Sequence, residues 1–323
     1  MLLGSLNELS PQRSRTIVIN VNTDLVAVRA VLSAVEVVGD PVLLVSCDPT
    51  PKSREHFARL MSSYAFDIIE VPLRVHGETL DWLFRTLRDE RLLLLDSDAE
   101  VRDPAFVDWM RAKLDNPLTF GAGFTWGPFF ITEEWLAPPD SILYMERPWV
   151  PCVWLKTEPV RAALAGGLSF AARFIPNDVA CSARLSRFLA ARWGPPWGVS
   201  SRWFSRLPAP AQRAMSTWRL DALRWARRRY HGLQPSMACY DTGAEVYQHL
   251  RFQKEMLFAG IPMELIDDEV HHYSGVTRYS LHGSSALDTK EEDVAEEVIE
   301  RLESRYRYRW EPTIAGPPAT TDK

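Results

Sequence analysis

The tripeptide Asp96-Ser97-Asp98 places two carboxylates two residues apart, directly after a run of four leucines at positions 92–95. The leucine run predicts a buried strand, so that the two acids stand where the strand meets solvent. Carboxylate oxygens suit a divalent cation of the magnesium or manganese type, which takes further ligands from water and substrate phosphates. The motif therefore predicts a site for a diphosphate. The alternative is an acidic turn that merely ends a strand.

Four predicted strands, separated by three predicted helices, lead up to this motif. Strands are expected at 16–21, 42–45, 67–71 and 92–95, separated by helices from Asp24, over 52–64 and over 78–89. Asp24 is expected to cap the first helix. Such alternation predicts an α/β fold with a mostly parallel central sheet and helices on both faces. Ligands bind beyond the carboxyl ends of such strands, where six residues would converge: Asn22, Thr23, Asp24, Asp48, Asp96 and Asp98.

The rest of the chain continues with mixed signals. Helices are expected over 104–114, from about 158 to Gly166-Gly167, over 242–259 and over 288–307, and strand-like stretches over 118–126 and 148–156. The last helix has apolar residues on one side and is expected to pack on the sheet or on a partner subunit. Residues 312–323 are expected to form a tail.

Composition indicates a globular protein of 323 residues, with 46% hydrophobic and 24% charged residues. The N-terminal residues show no signal-peptide or membrane-spanning pattern, which favours a cytoplasmic location. The four cysteines are far apart, without a Cys-x-x-Cys pair. They are therefore expected to be reduced, mostly buried thiols, and neither a zinc site nor a disulfide framework is expected.

The net charge of −5 hides one strongly basic segment. Residues 181–232 contain eleven arginines, five tryptophans and a single acid, Asp221, which gives this segment a net charge of +10. Proline-rich breaks divide it into short predicted helices. It could lie on an anionic membrane, wall an acceptor pocket, or form a packed helical subdomain with a solvated basic face. Nucleic acid is not expected as a partner, because the chain is acidic overall and shows no binding module.

In its order of elements the sequence resembles the GT-A-fold glycosyltransferases, in particular the inverting family 2, over about residues 16–180 and 240–282. This resemblance implies that Asp96 and Asp98 hold Mn²⁺ or Mg²⁺ on the diphosphate of a nucleotide sugar. It implies that His272, in His272-Tyr273-Ser274-Gly275, completes the metal or diphosphate site. It also implies that Asp48 contacts the nucleobase.

The same resemblance assigns the acceptor side of the site. Gly166 and Gly167 correspond to a glycine-containing loop near the acceptor, and Asp241 to the catalytic acidic residue at a helix start. Asp241 would accept the proton of the acceptor hydroxyl. The alternative is that Asp241 only caps its helix, with Glu245 as the reserve base. Tyr240 stands where the family has a glutamate, and Asp48 is followed by Pro-Thr-Pro instead of Asn-Gly-Ser.

Four further features have two interpretations each. The acids 267–269 could be a rival metal site, but side chains alternate along a strand, which favours a solvated turn. His271 is the second choice to His272 for the same reason. The loop 76–79 could touch the donor sugar or ribose, or simply start a helix with Thr79 near its cap. Asp81 could reach the nucleotide or be an exposed helix residue.

These signals predict one α/β domain with a helical insertion. Residues 1–180 would bind the nucleotide sugar, 181–239 form the basic insertion on the acceptor or membrane side, 240–285 complete the catalytic part, and 286–323 form the C-terminal helix and tail. The expected activity is a metal-dependent, inverting transfer of a sugar to an unidentified acceptor, which could be a glycan, a lipid-linked molecule or a small molecule. The predicted location is the cytoplasm; the alternative is a peripheral location at the inner face of the membrane, with residues 181–232 in contact with the lipid. The alternatives are a sugar nucleotidyltransferase and a non-catalytic nucleotide-sugar-binding scaffold.

Overall fold

The computed structural model describes residues 1–21, 23–127, 129–133, 140–176, 236–266, 268–273 and 286–311. Its first half alternates strands and helices, as the apolar patterns predict. The elements up to the acidic motif are β1 Leu2–Leu3, β2 Arg15–Val21, α1 Asp24–Ser33, β3 Val42–Cys47, α2 Pro51–Met61, β4 Asp67–Val71, α3 His76–Thr86 and β5 Arg91–Asp96.

The second half is richer in strands. Its elements are β6 Ala99–Val101, α4 Pro104–Leu114, β7 Thr119–Trp126, β8 Phe129–Glu133, β9 Asp140–Tyr144, β10 Arg147–Lys156, α5 Thr157–Ala165, β11 Arg173–Pro176, β12 Ser236–Tyr240, α6 Ala244–Gln248, β13 Leu257–Pro262, β14 Val270–His272 and α7 Ala286–Tyr306. The proline at the first position of α4 has a preset helical φ, and the Asp103 side chain accepts a hydrogen bond from the Ala105 amide at 2.8 Å.

The central sheet has eight strands in the order β1-β4-β3-β2-β5-β10-β7-β13. All pairings are parallel except those of β10, which runs antiparallel to both β5 and β7. The predicted α/β class with a mostly parallel sheet flanked by helices is therefore confirmed. Strands β11, β12, β9 and β8 form a second sheet, and β14 pairs with β6.

Helices cover both faces of the central sheet, because its inner strands are apolar on both sides. In β2, Ile17 packs on the face of α3 and α5, whereas Val18 packs on the face of α1 and α4; both are fully buried. The leucine run of β5 alternates in the same way between the two faces. A continuous apolar run is what a strand buried on both faces requires.

Helix α7 packs on the α1 face of the molecule. Val298 and Leu302 are fully buried in the same apolar cluster as α1, and Tyr306 is nearly so. The sequence predicts packing on the sheet or on a partner subunit, whereas in the structure this helix packs mainly on α1. Within the described residues, no helix has the length and apolar character needed to cross a membrane.

A buried charge network joins α1, β6 and α7. The Glu100 carboxylate is fully buried and accepts hydrogen bonds from Arg29 at 2.8 Å, Arg102 at 3.2 Å, Arg301 at 3.2 Å and Tyr306 at 2.6 Å. A buried carboxylate is tolerated only where such partners replace water. The network fixes the strand that follows Asp98 to the helices on one face of the sheet.

The predicted helix over 242–259 is wrong beyond its first turns. Helix α6 continues as one π-helical turn at His249–Gln253, and the chain then enters β13. Strand β13 pairs in parallel with β7, so the apolar residues that looked helical complete the sheet edge. At Gly260 a Cβ atom would lie 2.6 Å from the Thr125 side chain, so that the close strand contact requires glycine. Sheet pairing has overridden the local pattern.

Cys47 and Cys152 are free and buried, as expected for reduced core thiols. Burial raises the pKa of the Cys47 thiol to about 11 and that of Cys152 to about 12. Cys181 lies outside the described residues, as does the whole of the basic segment 181–232. The interpretations of that segment therefore stay predictions.

Candidate active site

Asp96 ends β5 at the carboxyl edge of the parallel strands, where the sequence places it. Its side chain is 18% exposed, and its Oδ1 atom lies 3.4 Å from Nε2 of His76, the first residue of α3. The loop 76–79 therefore starts a helix and also reaches the acidic motif. A contact of this loop with the donor sugar or ribose stays a prediction.

Asp98 follows Asp96 by two residues and is fully buried. Its Oδ1 atom is 3.3 Å from Nε2 of His272, and its backbone carbonyl accepts a hydrogen bond from the Tyr273 amide at 2.9 Å. Trp149 packs edge-on against the His272 ring, with 5.1 Å between the ring centroids. The structure thus brings two of the three predicted metal ligands, Asp98 and His272, into direct contact.

The Asp96 carboxyl has a raised pKa, in the first place because burial disfavours its charged form. The His76 imidazole acts in the opposite direction, whereas the neighbouring Asp98 carboxylate raises the pKa further. His272 and Arg147 also lower it. Asp96 is therefore a carboxyl group that gains from a nearby positive charge, and five ionisable side chains share this small region.

The residue types suit a divalent cation, but their arrangement does not assemble a ligand set. Among the residues that the structure describes, no three histidine, cysteine or carboxylate side chains are grouped so that they could hold a metal ion. Asp96 and Asp98 each face a different imidazole. A site for Mn²⁺ or Mg²⁺ on Asp96, Asp98 and His272 therefore stays a prediction, and no step of the chemistry is assigned to an ion.

The loop after β2 is hydrogen-bonded to the acidic motif. The Thr23 hydroxyl lies 2.9 Å from the Ser97 hydroxyl, and Thr23 also donates to the Asn20 side chain. Thr23, not Asp24, is the N-cap residue of α1, so that the predicted capping role of Asp24 is wrong. Asn22 lies outside the described residues.

Asp24 is held in place by two side chains that the sequence analysis did not single out. Asn20 Nδ2 donates to its Oδ1 at 3.3 Å, and the buried Ser53 hydroxyl donates to its Oδ2 at 2.9 Å. These bonds position the carboxylate between β2 and the start of α2. The predicted role of Asp24 in binding the nucleotide stays a prediction.

Asp48 follows β3 at the same edge and is exposed. Its φ of 45° lies in the left-handed region, which costs free energy for a residue with a Cβ atom, though less for aspartate than for most. Its amide donates to the Val71 carbonyl at 2.8 Å, which fixes this turn against β4. Its predicted contact with the nucleobase stays a prediction.

Asp241 lies three residues before the first residue of α6. Its Oδ1 accepts a hydrogen bond from the Thr242 amide at 2.8 Å, and its Oδ2 is 2.8 Å from Nη2 of Arg147. Because Arg147 also acts on Asp96, Asp241 belongs to the same charged region. The N-cap of α6 is Gly243, with a φ of 82°. The capping alternative for Asp241 is therefore wrong, and the reserve base Glu245 is buried in the first turn of the helix.

Gly166 and Gly167 form the C-terminal end of α5. The Gly167 amide donates to Leu164 and the Leu168 amide to Ala163, and Gly167 has a φ of 92°. This is the usual glycine termination of a helix. Both glycines are exposed, and their predicted place near an acceptor stays a prediction.

Asp81 is buried, so that its interpretation as an exposed helix residue is wrong, whereas a contact with the nucleotide stays a prediction. It is 8% exposed, and its carboxylate accepts hydrogen bonds from the Ser169 hydroxyl at 2.7 Å and the Phe170 amide at 2.8 Å. Asp81 therefore fixes the segment after α5 against α3. The same contact places Phe170 and Ala171 beside Gly77.

Gly77→Ala is expected to destabilise the protein by about 1–3 kcal/mol, as overpacking does. A Cβ atom at Gly77 would lie 2.4 Å from the Ala171 Cα, so that the backbone of α3 or of the facing segment must move. His76 would move with it. The midpoint of urea unfolding measures the effect, with Gly127→Ala as the matched control, because a Cβ there meets no atom within 4 Å. Equal midpoints for Gly77→Ala and the wild type would contradict this account.

The two other candidates for metal binding do not take part in this cluster. Asp268 is exposed and pairs with Arg102 at 3.2 Å, as the solvated-turn interpretation predicts, whereas Asp267 lies outside the described residues. His271 faces α7, with Nε2 3.4 Å from Glu297. The alternation along β14 thus directs His272, and not His271, to Asp98.

No protein-family model matches the chain, and no curated protein matches it. The solved structures similar to it include the mannosyltransferase PcManGT from Pyrobaculum calidifontis in complex with GDP-Man and Mn²⁺, with 14% identity over 92% of this chain and 83% of that one and a TM-score of 0.37. They also include 4-diphosphocytidyl-2C-methyl-D-erythritol synthase from Anaerococcus prevotii, with 9% identity, coverage of 48% and 75%, and a TM-score of 0.37. S. aureus TarS 1-349 is 11% identical with a TM-score of 0.33, and the chain spans about half its length, 49%. At these identities and TM-scores, no activity is transferred to this chain.

Proposed function

We propose that this protein transfers a sugar from a nucleotide-diphosphate donor to an acceptor hydroxyl. The observation that carries the proposal is the charged region at the carboxyl edge of the parallel strands. There Asp96 and Asp98 lie beside His76 and His272. The Arg147–Asp241 pair, at 2.8 Å, supplies a cation and a carboxylate in the same region. This is the edge at which an open parallel sheet binds its ligands.

The proposed reaction is a single displacement. The acceptor oxygen attacks the anomeric carbon while the bond from that carbon to the diphosphate oxygen breaks, and the nucleoside diphosphate leaves with the bonding electrons. The acceptor proton passes to the Asp241 carboxylate, the proposed general base. Attack opposite the leaving group inverts the configuration at the anomeric carbon. Positive side chains near the leaving diphosphate stabilise the charge that develops there.

The nucleoside is proposed to lie between the ends of β2 and β3. Asp24 is oriented there by Asn20 and Ser53, and the exposed Asp48 stands at the end of the neighbouring strand. Carboxylates in such positions accept hydrogen bonds from ribose hydroxyls or base N–H groups. The acceptor and the role of residues 181–232 stay predictions.

A thermal-shift panel tests the proposal with UDP, GDP, TDP and CMP sugars, each with and without Mn²⁺. A donor that binds only the folded protein adds about 2.7 kcal/mol of apparent stability at a concentration of 100 times its Kd, which raises Tm by several degrees. Release of the nucleoside diphosphate by slow hydrolysis of that donor would separate an enzyme from a binding scaffold. If no nucleotide sugar raises Tm but a nucleoside triphosphate does, the nucleotidyltransferase alternative is favoured instead.

A further inference from the structure

Arg147 is a charged residue of the site that the sequence analysis did not single out. It is the first residue of β10 and is 7% exposed. Because β10 runs antiparallel to its neighbours, its start lies at the edge where β5 and β7 end. The strand direction therefore delivers a guanidinium to the carboxyl edge, between the strands that carry Asp96 and Trp126.

The guanidinium has several partners and one open donor. Its Nη2 lies 2.8 Å from Asp241 Oδ2, its Nη1 donates to the Pro148 carbonyl at 3.3 Å, and its centre lies 5.0 Å from the Trp126 ring centroid. Its Nε is buried and has no hydrogen-bond partner among the described residues. Leaving a buried charged donor unsatisfied costs free energy, so that this group favours a further acceptor.

The backbone around Arg147 is anchored, which leaves the side chain as the part that can adjust. The preceding residue, Glu146, accepts hydrogen bonds at its side chain from Tyr247 and at its carbonyl from Gln248, each at 2.7 Å. Both donors belong to α6, the helix that follows Asp241. The same helix therefore fixes the positions of the arginine and of the carboxylate relative to each other.

We propose that Arg147 holds Asp241 in the donor-free protein and shares its charge with the donor diphosphate once the donor is bound. This inference rests on the proposed function and adds a residue and an order of events to it. While the Asp241 Oδ2 atom is paired with the guanidinium, it is occupied as an acceptor and is not free to take the proton of the acceptor hydroxyl. When the diphosphate draws the guanidinium to itself, this oxygen is released to accept that proton. The acceptor hydroxyl is then activated only when a donor is present.

The proposal has a thermodynamic consequence that needs no acceptor and no turnover. Asp241 and the diphosphate compete for one guanidinium, so that the charge on Asp241 weakens diphosphate binding, and the coupling is reciprocal. Removing that charge should tighten binding, whereas removing the guanidinium should weaken it. The effect of Asp241 on binding should also vanish when Arg147 is absent.

Calorimetric titration of UDP, GDP and inorganic pyrophosphate into the full chain tests this in a double-mutant cycle. Arg147→Gln is expected to weaken binding by about 10- to 100-fold, the range for hydrogen bonds to charged groups. Asp241→Asn is expected to tighten it by about fivefold, as for side chains in direct contact. In the Arg147→Gln background, Asp241→Asn is expected to change binding by less than about twofold.

Arg147→Lys keeps the charge but loses the planar fork, and it provides a second variant should Arg147→Gln not fold; intermediate weakening is expected. Arg111→Gln is the matched control. Arg111, on α4, pairs with Asp108 of the same helix and with Asp40, so that diphosphate binding should not change. Unchanged diphosphate binding in Arg147→Gln or Arg147→Lys, or no tightening in Asp241→Asn, would overturn the inference and leave the proposed function standing. If the wild type binds neither UDP nor GDP nor pyrophosphate, and no nucleotide sugar of the thermal-shift panel raises Tm, the proposed function fails as well.

Discussion

Asp241→Asn is expected to lower turnover by about 10²- to 10⁴-fold, the usual contribution of a positioned general base. The amide has nearly the same shape as the carboxylate, and its oxygen can still accept the Thr242 amide hydrogen bond at the Oδ1 position. It cannot accept the acceptor proton. Affinity for the nucleotide should be retained or increased, so that the loss lies in kcat and not in binding. Turnover is measured as nucleoside diphosphate release from the donor that stabilises the protein.

The matched control is Asp108→Asn, which removes an exposed carboxylate paired with Arg111 on α4. Its turnover should equal that of the wild type. Thermal unfolding of both variants separates a catalytic effect from loss of structure, because Asp241 neutralises the buried Arg147. Near-normal turnover of Asp241→Asn would remove Asp241 from the role of base. Glu245→Gln would then be the next variant to measure, since Glu245 lies in the first turn of α6.

Much of the first half of the fold follows from local patterns. The leucine run before Asp96 and the apolar segment 16–21 are strands because they are buried on both faces of a parallel sheet. Once the strands are known to be parallel, their carboxyl ends must share an edge. The parallel strand order therefore predicts that Asp24, Asp48 and Asp96 lie at one edge of the sheet.

The sequence predicts less wherever strand direction decides. Residues 148–156 read as a strand, but only pairing with β5 and β7 makes it antiparallel and brings Arg147 to the carboxyl edge. Likewise, the apolar pattern of the segment after α6 predicts a helix, but its pairing with β7 makes Leu257–Pro262 a strand. A basic residue at the start of an apolar strand was the signal that could have identified Arg147.

The local sequence pattern also does not predict which polar residues pair when they are far apart in the sequence. Arg29 and Ser33 are the polar residues among the buried residues of α1, and the others are apolar. The partner of Arg29, Glu100, is 71 positions away in the sequence. Arg15 is similarly buried and pairs with Asp89 at 3.1 Å. An arginine in an apolar helix face predicts a buried carboxylate somewhere, but its identity depends on tertiary packing.

Glu100→Gln is expected to lower the free energy of unfolding by about 3–5 kcal/mol, as for removal of one partner from a buried ion pair. The glutamine leaves the guanidinium of Arg29, which is fully buried, without its compensating charge. It also places amide hydrogens where Arg301 and Tyr306 donate. Urea unfolding at pH 7 measures the loss. Glu70→Gln is the matched control, because it removes a half-buried carboxylate from its pair with the exposed Arg54 and should lower the free energy of unfolding by at most about 1 kcal/mol.

The loss in Glu100→Gln should depend on pH in a defined direction. Burial raises the pKa of Glu100, but Arg29, Tyr306, Arg301 and Arg102 together lower it more, so that the folded-state pKa is below its ordinary value of 4.5. A lowered folded-state pKa means that the carboxylate stabilises the fold fully above pH 4.5, and that this stability is lost as the pH falls through the folded-state pKa. The difference between wild type and variant should therefore be constant near neutrality and shrink below pH 4.5. Equal urea midpoints at pH 7 would show that this network does not hold α7 and the strand after Asp98 in place.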